Sequence, residues 1–278
     1  MILNVVFCQS GGGFWSQLNQ IVRYMDKYEN DITRINWNFF FSGKYTYGKN
    51  EIYSQLFMTY DQSDQSDQAQ IISTNTVIDS RPIKLYHHEL WVNHDRSQFI
   101  RYSKAYYKFC QLRPEILKMV PYQQRVSQIK CAQYSVAIID RNLYLSKKEQ
   151  YQEISPSREQ YISAIQPYLK SETTFYLCSD NLSNFSYYLH YLTDKKMNVI
   201  YNPSIPRCKD INDHEPVQKI SKIPQAQSIV YDSFYEVYIA SLCQVLISSR
   251  TTMADGVLLL NPFIHFVYVC GALGNIYV

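Results

Sequence analysis

From residue 134 onward, short apolar runs alternate with segments of helical periodicity. The runs are rich in aliphatic and aromatic residues, and they cover residues 134–139, 173–178, 197–201, 244–248 and 263–269. The segments with helical spacing cover residues 157–169, 183–192, 233–242 and 253–260. Because successive parallel strands are joined by right-handed helical crossovers, this alternation predicts a doubly wound parallel α/β sheet. The strands of such a sheet end at one edge, and ligands bind there.

The first 25 residues predict a second α/β unit. Residues 2–7 form an apolar run, a glycine-rich turn follows, and apolar side chains then recur at helical spacing. Those side chains are Leu18, Ile21, Val22 and Met25. The chain is therefore expected to open with a strand, a turn and a helix.

Residues 35–130 are less regular. A repeat of Asp, Gln and Ser at residues 61–68 predicts an exposed loop. Two helical stretches, 99–110 and 114–120, are expected to end at Pro121, because proline interrupts a helix. We place the domain boundary near residue 130, which gives an N-terminal domain of residues 1–130 and a C-terminal domain of residues 131–278.

Charge and cysteine usage exclude several classes of protein. The net charge is +3, from 27 Lys and Arg against 24 Asp and Glu, which argues against a nucleic-acid-binding protein that relies on phosphate neutralisation. The 7 cysteines are widely spread and contain no C-x-x-C pair, so neither a disulfide framework nor a zinc site is indicated. The apolar run at residues 2–7 is too short for a secretion signal, and no long apolar window follows it. We expect a cytoplasmic protein without a membrane span.

Three consecutive glycines separate the first predicted strand from the first predicted helix. Gly12 and Gly13 let a ligand approach backbone N–H groups at the helix start, and Phe14 and Ser16 belong to the same segment. A plain tight turn is the alternative. The segment lacks both the G-x-G-x-x-G spacing and the lysine of a P-loop, which disfavours nucleoside triphosphate hydrolysis.

Two residues with opposite charges, Asp140 and Arg141, follow the strand at residues 134–139. An arginine at the carboxyl end of a strand can fork onto phosphate oxygens and stabilise a departing diphosphate without a metal ion. The alternative is an Asp–Arg pair that closes the edge of the sheet.

The strand at residues 173–178 is followed by Ser179 and Asp180 just before a predicted helix. Asp180 either caps that helix or accepts hydrogen bonds from a base or a ribose.

A fourth cluster follows the strand at residues 244–248. Several hydroxyls and one cation converge there at a predicted helix N-terminus, which favours a diphosphate site over capping alone, since one hydroxyl suffices for a cap. The residues of this cluster are Ser248, Ser249, Arg250, Thr251 and Thr252. Two acids are further candidates for binding the same ligand, Glu236 on the preceding predicted helix and Asp232 directly before that helix.

The histidines give no clear site. His87, His88 and His94, with Glu89 and Asp95, match no standard metal-ligand spacing, so a solvated face is favoured. The chain also has no Asp-x-Asp motif and no G-x-S-x-G elbow. We therefore predict neither a metal site nor acyl hydrolysis.

These features, in this order, resemble the fucosyltransferase-like glycosyltransferases of GT-B architecture. Residues 12–17 are similar to the N-terminal glycine-rich segment of that family, and residues 176–181 to its strand ending in Thr/Ser-Asp. Residues 136–142 resemble its His-x-Arg-Arg/Gly signature, which would make Arg141 the arginine on the donor diphosphate, although Ile139 stands at the histidine position. Residues 236–254 are similar to its leucine-rich helix and the Ser-x-Ser-Thr-Phe element that follows.

The resemblance implies two Rossmann-like halves in a GT-B arrangement, with a sugar nucleotide bound by the C-terminal domain and a glycan acceptor by the N-terminal domain. It further implies an inverting, metal-independent transfer without a cofactor, with GDP favoured over UDP in the donor and fucose as the sugar. Arg141 and the cluster at residues 248–252 would hold the diphosphate, and Asp180 and Glu236 would pair with base or ribose groups. Candidates for the general base are Asp140, Glu51 and Asp95, with little to separate them.

Two other functions stay open at this point. A polysaccharide pyruvyl transferase also uses a two-domain fold with a Ser-Arg segment near its end. A non-catalytic protein that binds a glycan or a nucleotide is suggested by the missing histidine of the Arg141 motif. The oligomeric state is not predicted.

Overall fold

The computed structural model describes residues 2–4, 6–7, 14–36, 56–58, 60–61, 73–74, 77–78, 96–141, 156–205, 207, 226–249, 251–270 and 274–277. The chain separates into two compact units. The first comprises Met1–Met119 with Gln218–Val230, and the second comprises Val120–Val217 with Tyr231–Val278.

The first unit opens with a βαβ arrangement. Its first helix, α1 (Phe14–Lys27), connects neighbouring parallel strands, because β1 (Ile2–Asn4) pairs in parallel with β3 (Arg34–Asn36). The four apolar side chains that predicted this helix are all fully buried, which confirms it. The remaining strands are β2 (Val6–Phe7), β4 (Tyr60–Asp61), β5 (Ser73–Thr74) and β6 (Val77–Ile78). The strand order is β4-β3-β1-β5 in one sheet, and β2 pairs with β6 in a second.

A second long helix, α2 (Arg96–Phe109), packs against α1. Two ion pairs at the protein surface link α2 to this region, Arg101 with Asp26 of α1 at 3.6 Å and Lys108 with Glu29, in the turn after α1, at 3.1 Å. Such exposed pairs contribute little, roughly 0–1 kcal/mol each, so buried apolar contacts hold the two helices together.

The expected helix end at Pro121 is wrong. The chain forms a short helix, α3 (Pro114–Leu117), and then a longer one, α4 (Val120–Cys131), with Pro121 in its first turn. Proline is tolerated there because the first N–H groups of a helix have no partner within the helix.

The second unit is built on a sheet of six strands. In chain order they are β7 (Tyr134–Asp140), β8 (Thr173–Ser179), β9 (Asn198–Tyr201), β10 (Val245–Ser248), β11 (His265–Cys270) and β12 (Gly274–Tyr277). Besides α4, its helices include α5 (Arg158–Ile165), α6 (Leu182–Asp194), α7 (Ala226–Ser241) and α8 (Thr252–Leu260). The strand order is β9-β8-β7-β10-β11-β12, parallel throughout except for the antiparallel edge strand β12. The predicted doubly wound parallel sheet is confirmed, and β12 is an addition that the sequence pattern did not predict.

Both faces of this sheet are covered. Residues 135–140 and 173–179 are buried without interruption, as in strands with helices on either side. Side chains of α5 and α6, including Tyr161 and Tyr188, pack on one face around Val136 and Ile138. On α7, the rings of Tyr235 and Tyr238 contact the ring of Tyr122 on α4, the first in a tilted and the second in an edge-to-face arrangement.

The order of strands reverses next to β7. The chain runs outward from β7 through β8 to β9, and it then returns to place β10 on the other side of β7. Ligands of open α/β sheets bind at such a reversal, beyond the carboxyl ends of the two strands. A ligand-binding site is therefore expected beside the residues that follow β7 and β10.

Candidate functional site

Arg141 directly follows β7, next to the end of β10. Ile139 of β7 is paired in register with Ser248 of β10, so the two strands deliver their following residues side by side. Arg141 Nε donates to the Sδ of Met253 at 2.9 Å, and Met253 lies in the first turn of α8. The structure thus brings Arg141 to the N-terminus of the helix that follows β10, as the sequence predicted.

Two carboxylates flank the Arg141 guanidinium. Its Nη2 lies 3.3 Å from Oε2 of Glu236 on α7, and its Nη1 lies 3.8 Å from Oδ2 of Asp180 after β8. The Glu236 side chain is 1% exposed, whereas those of Arg141 and Asp180 are 23% and 19% exposed. Arg141 is therefore accessible to a ligand and is oriented from the protein side by two acids.

Burial dominates the electrostatics of both acids. It raises the pKa of Glu236 to about 7 and that of Asp180 to about 6, although the positive charge of Arg141 opposes both shifts. Among the described residues, no hydrogen bond reaches Asp180 Oδ1 or Glu236 Oε1, and both atoms are buried. Buried acceptors without partners are costly, so these two oxygens are suited to accept N–H or O–H groups of a ligand.

A second arginine, Arg207, lies near Glu236 and was missed by the sequence analysis. Its guanidinium stacks 3.7 Å from the ring centroid of Phe185, and it donates to the carbonyls of Ile205 at 3.2 Å and Asn202 at 3.0 Å. Burial lowers the pKa of Arg207, and the nearby Glu236 raises it. Its buried Nε has no hydrogen-bond partner within the described residues. No signal marked Arg207, because it belongs to an irregular, proline-bearing stretch.

Asp232 lies one turn before Glu236 on α7. Its Oδ1 accepts from Nδ2 of Asn202 at 3.1 Å, and burial raises its pKa. Asn202 is therefore tied both to Arg207 and to Asp232. These contacts link the end of β9 to α7 beside the two acids.

Hydroxyl and backbone groups at the end of β10 form hydrogen bonds with the neighbouring strand β7 and with α5. Ser248 Oγ donates to the carbonyl of Ile139 at 2.9 Å, and the backbone N–H of Ser249 donates to the Tyr161 hydroxyl at 3.0 Å. Thr251 caps α8, because its hydroxyl accepts from the N–H of Ala254 at 3.1 Å. Thr252 is the first residue of α8. The hydroxyls of Ser248 and Thr251 thus have structural partners, and the contact of this cluster with a ligand stays a prediction.

Asp140 contacts α6. Its Oδ2 accepts from Asn184 Nδ2 at 2.8 Å and from the Tyr188 hydroxyl at 3.0 Å, and its side chain is buried. These contacts give Asp140 a clear packing role, and its predicted role as a general base stays a prediction.

The cap of α6 is Asn181, whose side chain accepts from the N–H of Asn184 at 2.8 Å. Capping was the alternative role for Asp180, which instead pairs with Arg141. Ser179 is buried, and its hydroxyl contacts the backbone of Asn181 at 3.3 Å.

In the first unit, Phe14 begins α1 and contacts Trp15 edge-to-face at 5.3 Å, and Ser16 lies in the same helix. The other predicted residues lie outside the described part of the chain, namely Gly12, Gly13, Glu51, His87, His88, Glu89, His94, Asp95 and Arg250. A group of three or more His, Cys, Asp or Glu that could bind a metal is not found among the described residues. Across the same residues, no helix combines the length and the hydropathy needed to cross a membrane.

Solved structures match the chain over nearly its whole length. The α-1,6-fucosyltransferase NodZ soaked with GDP-fucose has a TM-score of 0.53 at 11% identity, covering 99% of this chain and 98% of that one. NodZ from Bradyrhizobium has the same TM-score, identity and coverage. FUT1 from Arabidopsis thaliana, in complex with GDP, has a TM-score of 0.50 at 10% identity, covering 96% of this chain and 70% of that one. No protein-family model and no curated protein sequence matches the chain.

Proposed function

Because the chain has the GT-B fold of the fucosyltransferase-like glycosyltransferases, we propose that it is a glycosyltransferase that takes its sugar from a nucleoside diphosphate donor. The observation that carries the proposal is the position of Arg141. It lies at the strand reversal of the second unit, beside the N-terminus of α8, and it is oriented by Glu236 and Asp180. An arginine and a helix N-terminus together favour a bound diphosphate.

In this mechanism the donor diphosphate binds to Arg141 and to the N–H groups at the start of α8. As the bond between the sugar and the diphosphate breaks, negative charge grows on the leaving diphosphate, and Arg141 offsets it without a metal ion. The acceptor hydroxyl attacks from the opposite side of the anomeric carbon, which inverts its configuration, and it gives up its proton to a general base, for which Asp140 is a candidate. We assign the binding of the acceptor glycan to the N-terminal domain, residues 1–130.

We further propose GDP as the nucleotide and fucose as the sugar. The NodZ crystals were soaked with GDP-fucose, and the FUT1 structure is a complex with GDP. In this chain, Asp180 Oδ1 is a buried acceptor and Arg207 Nε is a buried donor, each without a partner among the described residues. Guanine offers both N–H donors and the O6 acceptor, so it could satisfy both kinds of atom.

Isothermal titration calorimetry with GDP-fucose, GDP and a UDP-sugar tests the proposal. We expect GDP and GDP-fucose to bind, and to bind more tightly than the UDP-sugar. Arg141→Lys serves as the matched variant, because it keeps the charge and loses the planar fork. Failure of every nucleotide to bind at millimolar concentration would overturn the proposal.

A non-catalytic nucleotide-binding protein is the second candidate. It is favoured by one observation, the engagement of Asp140 with Asn184 and Tyr188, which gives this candidate base a packing role. Such a protein would bind GDP-fucose and release no GDP with any acceptor glycan.

A further inference from the structure

Glu236 is a buried acid whose charge is compensated mainly by a residue that the donor would also use. Its side chain is 1% exposed, and its Oε2 contacts Arg141 Nη2 at 3.3 Å. Its second oxygen is buried and accepts no hydrogen bond from a described residue. An ionised carboxylate in such a place is stable only while a cation stays beside it.

The titratable and charged groups that face Glu236 come from four elements. They are Arg141 after β7, Tyr176, Cys178 and Asp180 on or directly after β8, Arg207 after β9, and Asp232 on α7 itself. The two arginines favour the charged form of Glu236, Arg141 more strongly than Arg207, while Asp180 and Asp232 oppose it. A change in the partners of Arg141 therefore acts directly on the proton of Glu236.

The proposed function brings a diphosphate to Arg141, and the present inference rests on it. The diphosphate adds negative charge close to Glu236 and competes with it for the same guanidinium. Loss of the cation and approach of an anion both favour the neutral form of a buried acid. We propose that Glu236 is a positioning residue that holds Arg141 in place before the donor binds and takes up a proton from solvent when the donor diphosphate binds to Arg141.

The proton balance of this exchange is simple. The carboxylate of Glu236 becomes a carboxylic acid, and solvent supplies the proton, so the count is one proton per donor. With Arg141 beside it, the pKa of Glu236 is already raised by burial to about 7. Above this pH the acid is mainly ionised before the donor binds, and the uptake is then largest.

Asp180 supplies a matched control. It faces the same guanidinium, but the distance is 3.8 Å and its side chain is 19% exposed. Although its Oδ1 is buried, part of its side chain is reached by water, so its charge depends less on Arg141 than that of Glu236, which is 1% exposed. We therefore expect Glu236, and not Asp180, to take up the proton when the donor binds.

The test is calorimetry with GDP-fucose and no acceptor, in two buffers of different ionisation enthalpy. GDP-fucose is chosen because its diphosphate is esterified at both ends and does not itself titrate near neutral pH. At about pH 8 the wild type should take up about one proton per bound donor. Asp180→Asn should bind the donor more weakly and keep this uptake per bound donor, whereas Glu236→Gln should take up close to none. Near pH 5.5 the wild-type uptake should fall toward zero, and its affinity should weaken up to about tenfold per pH unit between pH 7 and 9.

The possible results distinguish a failure of the Glu236 inference from a failure of the proposed function. Binding of GDP-fucose with equal proton uptake in the wild type and Glu236→Gln overturns the inference and leaves the proposed function standing. Loss of uptake in Asp180→Asn, with uptake kept in Glu236→Gln, also overturns it. Absence of any binding at either pH overturns the proposed function and this inference together. The two-buffer comparison on the wild type keeps the test valid if a variant does not fold.

Discussion

Arg141 and Glu236 are 95 residues apart in the chain, and Arg141 Nη2 lies 3.3 Å from Glu236 Oε2. The contact exists because β10 returns to the side of β7 and α7 precedes β10. It orients the guanidinium at the edge of the sheet before any ligand arrives. Such preorganisation is what makes a charged contact effective in a transition state.

Replacement of Arg141 tests its place in the chemistry. Arg141→Ala should lower kcat/KM for sugar transfer by a hundredfold or more, a loss of about 3 kcal/mol in transition-state stabilisation, because the leaving diphosphate loses its cation. Release of GDP from GDP-fucose with an acceptor glycan measures the rate. Arg101→Ala, which breaks an exposed ion pair with Asp26 on α1, is the control and should leave the rate unchanged. Near wild-type turnover by Arg141→Ala would show that Arg141 only closes the sheet edge.

Glu236 should make the stability of the protein depend on pH. Its pKa in the folded state is raised by burial from 4.5 to about 7, so the folded protein binds more protons than the unfolded chain between these values. The free energy of unfolding should therefore fall as pH rises through this window, by about 3 kcal/mol from this residue. Urea denaturation from pH 4 to 9 measures it.

Glu236→Gln should remove the share of that fall that Glu236 contributes and should be more stable than the wild type above about pH 7. Glu115→Gln, on the exposed side of α3, is the control and should keep the wild-type dependence. An unchanged pH dependence in Glu236→Gln would contradict the assignment.

The hydrogen bond from Tyr188 to Asp140 should stabilise the second unit. Tyr188→Phe leaves the buried carboxylate one donor short and should lower the free energy of unfolding by about 1–3 kcal/mol. Tyr187→Phe changes the adjacent, exposed ring and should shift it by less than about 0.5 kcal/mol. Equal stability of the two variants in urea would show that the bond contributes nothing.

Asp140→Asn decides whether this acid is also the general base. If Asp140 acts only in packing, the variant should lose stability and keep both donor binding and most of the transfer rate. If it is the base, transfer should fall about 100-fold or more while GDP-fucose still binds. Single-turnover transfer rates together with donor affinity separate the two results.

Thr251 should contribute both a helix cap and a donor contact. Thr251→Ala and Ser157→Ala each remove an N-cap, of α8 and α5 respectively, and each should cost about 1 kcal/mol of stability. Only Thr251→Ala should weaken the binding of GDP-fucose in calorimetry. Equal donor affinity of the two variants would restrict Thr251 to capping.

The strand positions of the second unit could be predicted because most of these strands are buried on both faces. Continuous apolar runs such as residues 134–139 therefore stood out between helical segments. Pro121 misled the prediction, since its effect depends on whether it stands inside a helix or in its first turn. The edge strand β12 follows the last predicted strand and pairs only with β11, so no alternation with helices marked it.

The site was predictable only where a residue follows a strand of the sheet. Arg141 and the cluster after β10 could be grouped because parallel strands end at one edge. That Glu236 would contact Arg141 depends on the side of the sheet that α7 covers, which local periodicity does not encode. Arg207 is held by backbone carbonyls and by the ring of Phe185, and neither contact has a sequence signature.

A crystal structure of the protein with GDP-fucose will show whether Arg141 binds the donor diphosphate at the start of α8. We expect diphosphate oxygens within hydrogen-bond distance of the Arg141 guanidinium and of the N–H groups of Thr252 and Met253. Nucleotide bound elsewhere, with Arg141 still in contact with Glu236 and Asp180, would contradict this expectation.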